Sequence, residues 1–229
     1  MQKIRIRFKK KDSLKFISHH DLMKLFERAI RRAEIPIRMS EGFNPRPKIS
    51  FPLALAVGIE GLDEVVEIEL NEWMHPSTLL SQLRAQLPQG IEITTVELVS
   101  PGESAQAEDV TCRIRLNDMS VPQSKIDELL QRKEITVCRE KDGRKRYFNI
   151  RPSIMDIVTE QTCPEDGEST VSGADFIELR LKVISEGTAR PEEVISALGL
   201  DREIDYRLLE ITRTKVKLAD SNLAHSLEL

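Results

Sequence analysis

Two adjacent histidines, His19 and His20, stand between Ser18 and Asp21. Imidazoles are the side chains best suited to moving protons near neutral pH, so the pair is a candidate for metal-independent RNA cleavage. The sequence offers no clear second base, and a helix N-terminus disfavours a protonated histidine. A capping role for Ser18 and Asp21, with the histidines contacting RNA or simply exposed, is the preferred reading; endoribonuclease chemistry stays open as an alternative. Five residues on, Lys24, Arg28, Arg31 and Arg32 fall at i, i+4, i+7 and i+8. That spacing puts four cations on one helix face, where they can engage several phosphates. The bland alternative is a solvated face on which Glu27 pairs with Arg31.

The loop SEGFNPRPK, residues 40–48, adds the second candidate element. Gly42 permits backbone shapes that other residues resist. Pro45 and Pro47 restrict themselves and their predecessors Asn44 and Arg46, so the loop should be stiff. Arg46 and Lys48 would reach phosphates, Phe43 could stack on a base and Asn44 could hydrogen-bond one. A pre-ordered loop loses little entropy on binding. Against this stands a purely structural turn in which Phe43 plugs the core.

The positions of these groups depend on the elements that carry them. Residues 3–9 alternate Ile4, Ile6 and Phe8 with Lys3, Arg5, Arg7 and Lys9, which predicts a half-buried strand. Ser18-x-x-Asp21 marks a helix start, and Pro36 bounds a helix over about 18–34 whose apolar stripe is Leu22, Leu25, Phe26, Ala29, Ile30 and Ala33. Two extended pieces flank the loop. A strand at 64–70, a helix from Pro76 closed by Pro88 and Gly90, and a strand at 91–99 complete a βαββαβ order.

Residues 100–109 read as a linker, after which the order recurs: a strand at 110–116, a helix at 122–132, a hairpin around Asp142-Gly143, a strand at 175–184, a helix at 191–198 and a strand at 206–218. The hairpin and the segment 151–160 look like additions to the second repeat. The expectation is an α+β protein of two tandem ferredoxin-like (βαββαβ) domains. Residues 1–100 form the basic one, 109–218 the acidic one, and 219–229 a loose tail.

Charge sharpens the contrast between the halves. Residues 1–52 hold 14 Lys plus Arg against 5 Asp plus Glu, a balance of +9, whereas the remainder holds 20 against 33, a balance of −13. Such a split points to polyanion or acidic-partner binding at the N-terminal end, or to halves that attract each other. Arg151 either extends the basic surface or forms a salt bridge. The three cysteines, Cys112, Cys138 and Cys163, are far apart and form no metal-ligand spacing. With no apolar segment long enough to span a bilayer, a cytoplasmic protein without metal or cofactor is expected. No Walker loop, GxGxxG, GxSxG, HExxH or EF-hand loop is present, so nucleotide hydrolysis and hydride transfer have no support.

The run LKFISHHDLMKLFERAIRRAEIPIRMSEGFNPRPKISF resembles the radical SAM-linked protein family, a bacterial domain of unknown function. Its joint motifs SHHDLM, RAIRRA and SEGFNPRPKISF carry the likeness, which is strongest over residues 3–70 and extends through RPSI and ARPEEV. Members occur fused to, or encoded beside, radical SAM proteins, so the resemblance implies such a partner. The chain lacks CxxxCxxC and cannot itself hold that iron–sulfur cluster. More remotely, the arrangement looks like RAMP-type CRISPR RNA-processing proteins, an analogy of fold only. The sequence therefore reads as a non-catalytic RNA-binding accessory protein, RNA and a radical SAM protein being its partners and no membrane being involved. A protein–protein adaptor without RNA binding is the first alternative, and an endoribonuclease the second.

Overall fold

A computed structural model describes residues 2–100, 102–116, 121–160, 176–185, 187–200 and 209–219. Contacts divide the chain into two units, Met1–Ala107 with Lys215–Leu229, and Glu108–Thr214. Both are mixed α+β with mostly antiparallel strands and few helices.

The first unit comprises β1 (Gln2–Lys10), α1 (His19–Arg32), β2 (Ile49–Ser50), β3 (Glu60–Leu70), α2 (Pro76–Arg84) and β4 (Ile91–Val99). β1 lies between β4 and β3, antiparallel to both, and β2 pairs with β3. The alternation in β1 works as expected on one face: Ile4, Ile6 and Phe8 are fully enclosed. They pack against Leu22, Phe26, Ala29 and Ile30 of α1 and Leu79 and Leu83 of α2. The Phe8 and Phe26 rings meet edge to face with centroids 5.0 Å apart. Burying a side chain of that size contributes about 1.5–3 kcal/mol.

Helix α1 starts where its cap dictates. Ser18 Oγ accepts from the Asp21 N–H at 3.1 Å and donates to Asp21 Oδ2 at 2.7 Å, leaving one fewer orphan donor in the first turn. The helix ends as Glu34 takes a left-handed backbone (φ 52°) and the Ile35 N–H reaches back to the Ile30 carbonyl, a closing bond of the Schellman kind. The segment expected to hold two extended pieces forms far less sheet: two residues of β2 and isolated bridges Ile37↔Leu70 and Met39↔Pro47. Pro36, Pro45, Pro47 and Pro52 each remove a backbone donor, so no regular ladder can run through it.

The second unit holds β5 (Ala107–Arg115), α3 (Gln123–Gln131), the hairpin β6 (Thr136–Lys141) and β7 (Arg144–Asn149), β8 (Ile154–Glu160), β9 (Phe176–Lys182), α4 (Pro191–Ala197) and the first half of β10 (Ile211–Leu218). Here the order is β10-β5-β9-β8, while β6 and β7 form a separate two-stranded sheet. The segment 151–160 is therefore no addition: β8 is a sheet strand paired with β9. Among the described strands only the hairpin lies outside the sheet, and its turn follows from Asp142 and Gly143, both at positive φ. Cys112, Ile114 and Leu116 point into the core, as the alternation predicts. Residues 161–175, the start of the expected last strand at 206–208 and all but the first residue of the expected tail lie outside the described residues.

Arg151 takes neither role expected of it. Its guanidinium donates to the Leu130 carbonyl from Nε and Nη2, at 3.2 and 2.6 Å, and to the Ile154 carbonyl at 2.7 Å. It is a backbone clamp tying the end of α3 to the start of β8.

Candidate nucleic-acid interface

Half of the cations of the basic N-terminal segment are answered by acids of its own unit. In β1, Arg5 faces Glu67 of β3 on one side and Glu97 of β4 on the other, and Lys3 faces Glu69. Glu67 is nearly sealed, ion-paired to Lys3 and Arg5, both at 2.8 Å, and it accepts from the Ala105 N–H at 3.1 Å. Burial pushes its carboxyl up, but the hydrogen bonds from Lys3, Ala105 and Arg5 outweigh that and hold it below the usual glutamate value. Arg7 pairs with Asp63, Lys9 and Lys11 with Glu92, and Arg38 and Lys48 with Glu69. Lys10 is fully enclosed and donates to the Ile17 carbonyl at 3.1 Å. Seven of the segment's cations are thus ion-paired, and four of them, Lys3, Arg5, Arg7 and Lys9, are paired across the β1 ladders.

What stays outward comes from α1 and the loop. Lys24, Arg28, Arg31 and Arg32 are all exposed. Lys24, Arg28 and Arg32 line one groove of about 530 Å³, facing Ala85–Pro88 and floored by Ile17 and Leu25. Arg32 is fixed there by Gln86, donating to its side-chain oxygen at 3.2 Å and its carbonyl at 2.6 Å. Arg31 lies outside the groove lining. Arg28, Arg31 and Arg46 form no ion pair among the described residues. Asp21, at the groove's end, is held below the usual carboxylate range by the Ser18 hydroxyl and, more weakly, by Lys24. It is a fixed negative charge that an anion in the groove must avoid.

The loop 40–48 is pinned at its base. The Ser40 N–H donates to the Arg46 carbonyl at 2.7 Å, the Arg46 N–H to Ser40 Oγ at 2.9 Å, and the Lys48 N–H to the Arg38 carbonyl at 2.8 Å. Gly42 adopts φ 121°, open to glycine alone without strain. Phe43, Asn44 and Arg46 are exposed, and Phe43 is entirely so. Phe43 does not plug the core; Phe51 does, meeting Phe8, Phe26 and His19 edge to face. Lys48 is half-buried and committed to Glu69 at 3.2 Å. None of the loop residues lines the α1 groove.

The histidines divide. The His19 ring packs on Phe51 with its Nδ1 enclosed and without a hydrogen-bond partner, whereas His20 is exposed. Among the described residues no cluster of three His, Cys, Asp or Glu could hold a metal ion, and no helix is long and apolar enough to cross a membrane. Two groups escaped the sequence reading. Phe16, exposed with Lys15 over its ring at 5.4 Å, is an aromatic that precedes the groove residue Ile17 in the chain. The β6–β7 hairpin carries Lys141, Arg144, Lys145 and Arg146, all exposed. The signal for it was present as the run RKR after the turn.

One chain in a crystal structure of a Cbf5-Nop10-Gar1 complex is similar to this chain, at 14% identity and a TM-score of 0.42, over 93% of this chain and 48% of that one. The present chain thus spans about half the length of that protein. No curated protein matches the sequence. A family model does, across residues 3–191, and the chain belongs to that family, described as an uncharacterized protein conserved in bacteria (DUF2344).

Proposed function

We propose that this chain is a non-catalytic RNA-binding accessory protein working with a radical SAM enzyme in RNA modification or processing. The observation that carries the RNA reading is the groove on α1, where Lys24, Arg28 and Arg32 converge while the strand cations Lys3, Arg5, Arg7 and Lys9 are ion-paired. Arg31 and Arg46 supply further outward charge. Phe43, held fully exposed on a pinned loop, is placed to stack on a base, with Asn44 beside it. Lys48 contributes by aligning the loop through Glu69. The radical SAM partner rests on the likeness of SHHDLM, RAIRRA and SEGFNPRPKISF to the radical SAM-linked family. We read the two units as tandem ferredoxin-like repeats, a reading supported by β4-β1-β3 with β2 on β3 and by β10-β5-β9-β8. In the second repeat the β6–β7 hairpin is an insertion.

Binding of a labelled single-stranded RNA across a salt series tests the reading. If about five phosphates are neutralised, log K against log salt falls with a slope near −3.5. Lys24→Ala with Arg28→Ala lowers affinity and flattens the slope by about 1.4. Phe43→Ala weakens binding by about 1–3 kcal/mol and changes stability by less than about 0.5 kcal/mol, since the ring touches no core. A flat salt response, with a radical SAM protein still co-purifying after nuclease treatment, replaces RNA binding by the adaptor reading. Cleavage of the RNA in EDTA, abolished by His20→Ala, replaces it by the nuclease reading.

A further inference from the structure

The β6–β7 hairpin has a register that works against its own stability. Arg139 lies directly opposite Arg146, and Lys141 directly opposite Arg144. Opposite residues of an antiparallel pair share a face, so four cations crowd one side of a two-stranded ribbon, and like charges so placed repel. The other face is complementary, with Glu140 opposite Lys145. Among the described residues only one of the four cations is answered. Arg139 makes a two-pronged pair with Glu193, at 2.6 and 2.7 Å, donates to the Thr188 carbonyl at 2.7 Å, and lies over the Phe148 ring at 4.9 Å. Its guanidinium is thereby held firmly protonated, first by the hydrogen bonds to Glu193. Lys141, Arg144 and Arg146 are exposed and form no ion pair among the described residues. With Arg190 they line a depression of about 640 Å³, and among the described residues the one acid lining it is Asp142.

From this arrangement we infer a second binding face, on the hairpin, for the backbone phosphates of single-stranded nucleic acid. Arg139 braces the base of the ribbon; Lys141, Arg144 and Arg146 supply the contacts. Residues two apart on a strand are separated by about 6.8 Å. The charges are therefore spread along the ribbon, which suits a repeating anion better than a single phosphate. The face belongs to the second unit and stands independently of the α1 groove.

Four proteins decide it, each titrated with a fluorescein-labelled uridine 20-mer over a salt series: the parent, the triple variant Lys141→Ala/Arg144→Ala/Arg146→Ala, Lys145→Ala on the opposite face, and Lys24→Ala/Arg28→Ala. The triple variant is expected to bind at least ten-fold more weakly at low salt and to lose about 2 from the salt slope, while Lys145→Ala leaves the slope unchanged. Circular dichroism should show the triple variant folded, because the substitutions remove repulsion. Loss in the triple variant without loss in Lys24→Ala/Arg28→Ala upholds the hairpin face and removes the groove reading. The reverse pattern overturns the hairpin face and leaves the groove reading intact. Equal losses from Lys145→Ala, charge for charge, overturn the face as a defined site. Equally tight, hairpin-dependent binding of polyglutamate overturns nucleic acid as its ligand.

Discussion

Strand β1 and the β6–β7 hairpin both carry cations at alternate positions, and their registers treat those cations in opposite ways. In β1, Lys3 and Arg5 lie opposite Glu69 and Glu67, and Arg5 has Glu97 on its other flank. In the hairpin, arginine faces arginine and lysine faces arginine. The first pattern turns charge into structure: a buried carboxylate with two cations and a backbone N–H around it. The second leaves charge on the surface at a small cost in stability. Counting Lys and Arg cannot tell the two apart, because what decides is the neighbour across the ladder.

The sharpest way to break the comparison is to remove the acid on which β1 depends. Glu67→Gln keeps the volume but leaves Arg5, itself 9% exposed, without the carboxylate it is ion-paired to. Removing one partner of such a buried pair costs about 3–5 kcal/mol. Urea unfolding followed by circular dichroism should show a large drop in midpoint; an unchanged midpoint would show that β1's charges are no more structural than the hairpin's. The pH dependence follows from the same residue. Its folded carboxyl titrates below the ordinary glutamate value, so its stabilisation is complete above about pH 4.3 and fades as pH falls through the lowered folded value. Between pH 5 and pH 3 the parent should therefore lose more stability than Glu67→Gln, whose neutral amide does not titrate. Equal acid sensitivity in both proteins would assign the pairing no role there.

The same contrast explains what could be read from the residues alone. The cap at Ser18, the apolar stripe of α1 and the Asp142-Gly143 turn are local signals, each resting on residues within a few positions of one another, and each has a counterpart in the fold. The basic stripe was also local, and three of its four members reach one groove. Pairing was not local. Arg5 and Glu67 are 62 positions apart, so the neutralisation of β1 could not be seen until the register was known. For the hairpin the turn residues were sufficient to place both strands, yet the repulsive pairs follow only when the register is counted outward from Asp142-Gly143. The segment 151–160 carries no local sign of its pairing for a related reason: its partner β9 begins beyond a long intervening segment.

A smaller effect, of opposite sign in two measurements, sharpens the comparison most cleanly. Arg144→Glu gives Lys141 the kind of neighbour that Arg5 already has. Replacing a repulsive cross-strand pair by an attractive one should stabilise the hairpin by a few tenths to about 1 kcal/mol, seen as slower amide hydrogen exchange along β6 and β7. The same change takes one cation from the exposed face and adds an anion beside Lys141 and Arg146, so affinity for the uridine 20-mer should fall. Stability and binding then move apart, as they must if the hairpin keeps its charges for a ligand. Should Arg144→Glu weaken the hairpin instead, Arg144 would be a structural residue like Arg5, and the difference between the two basic strands would vanish.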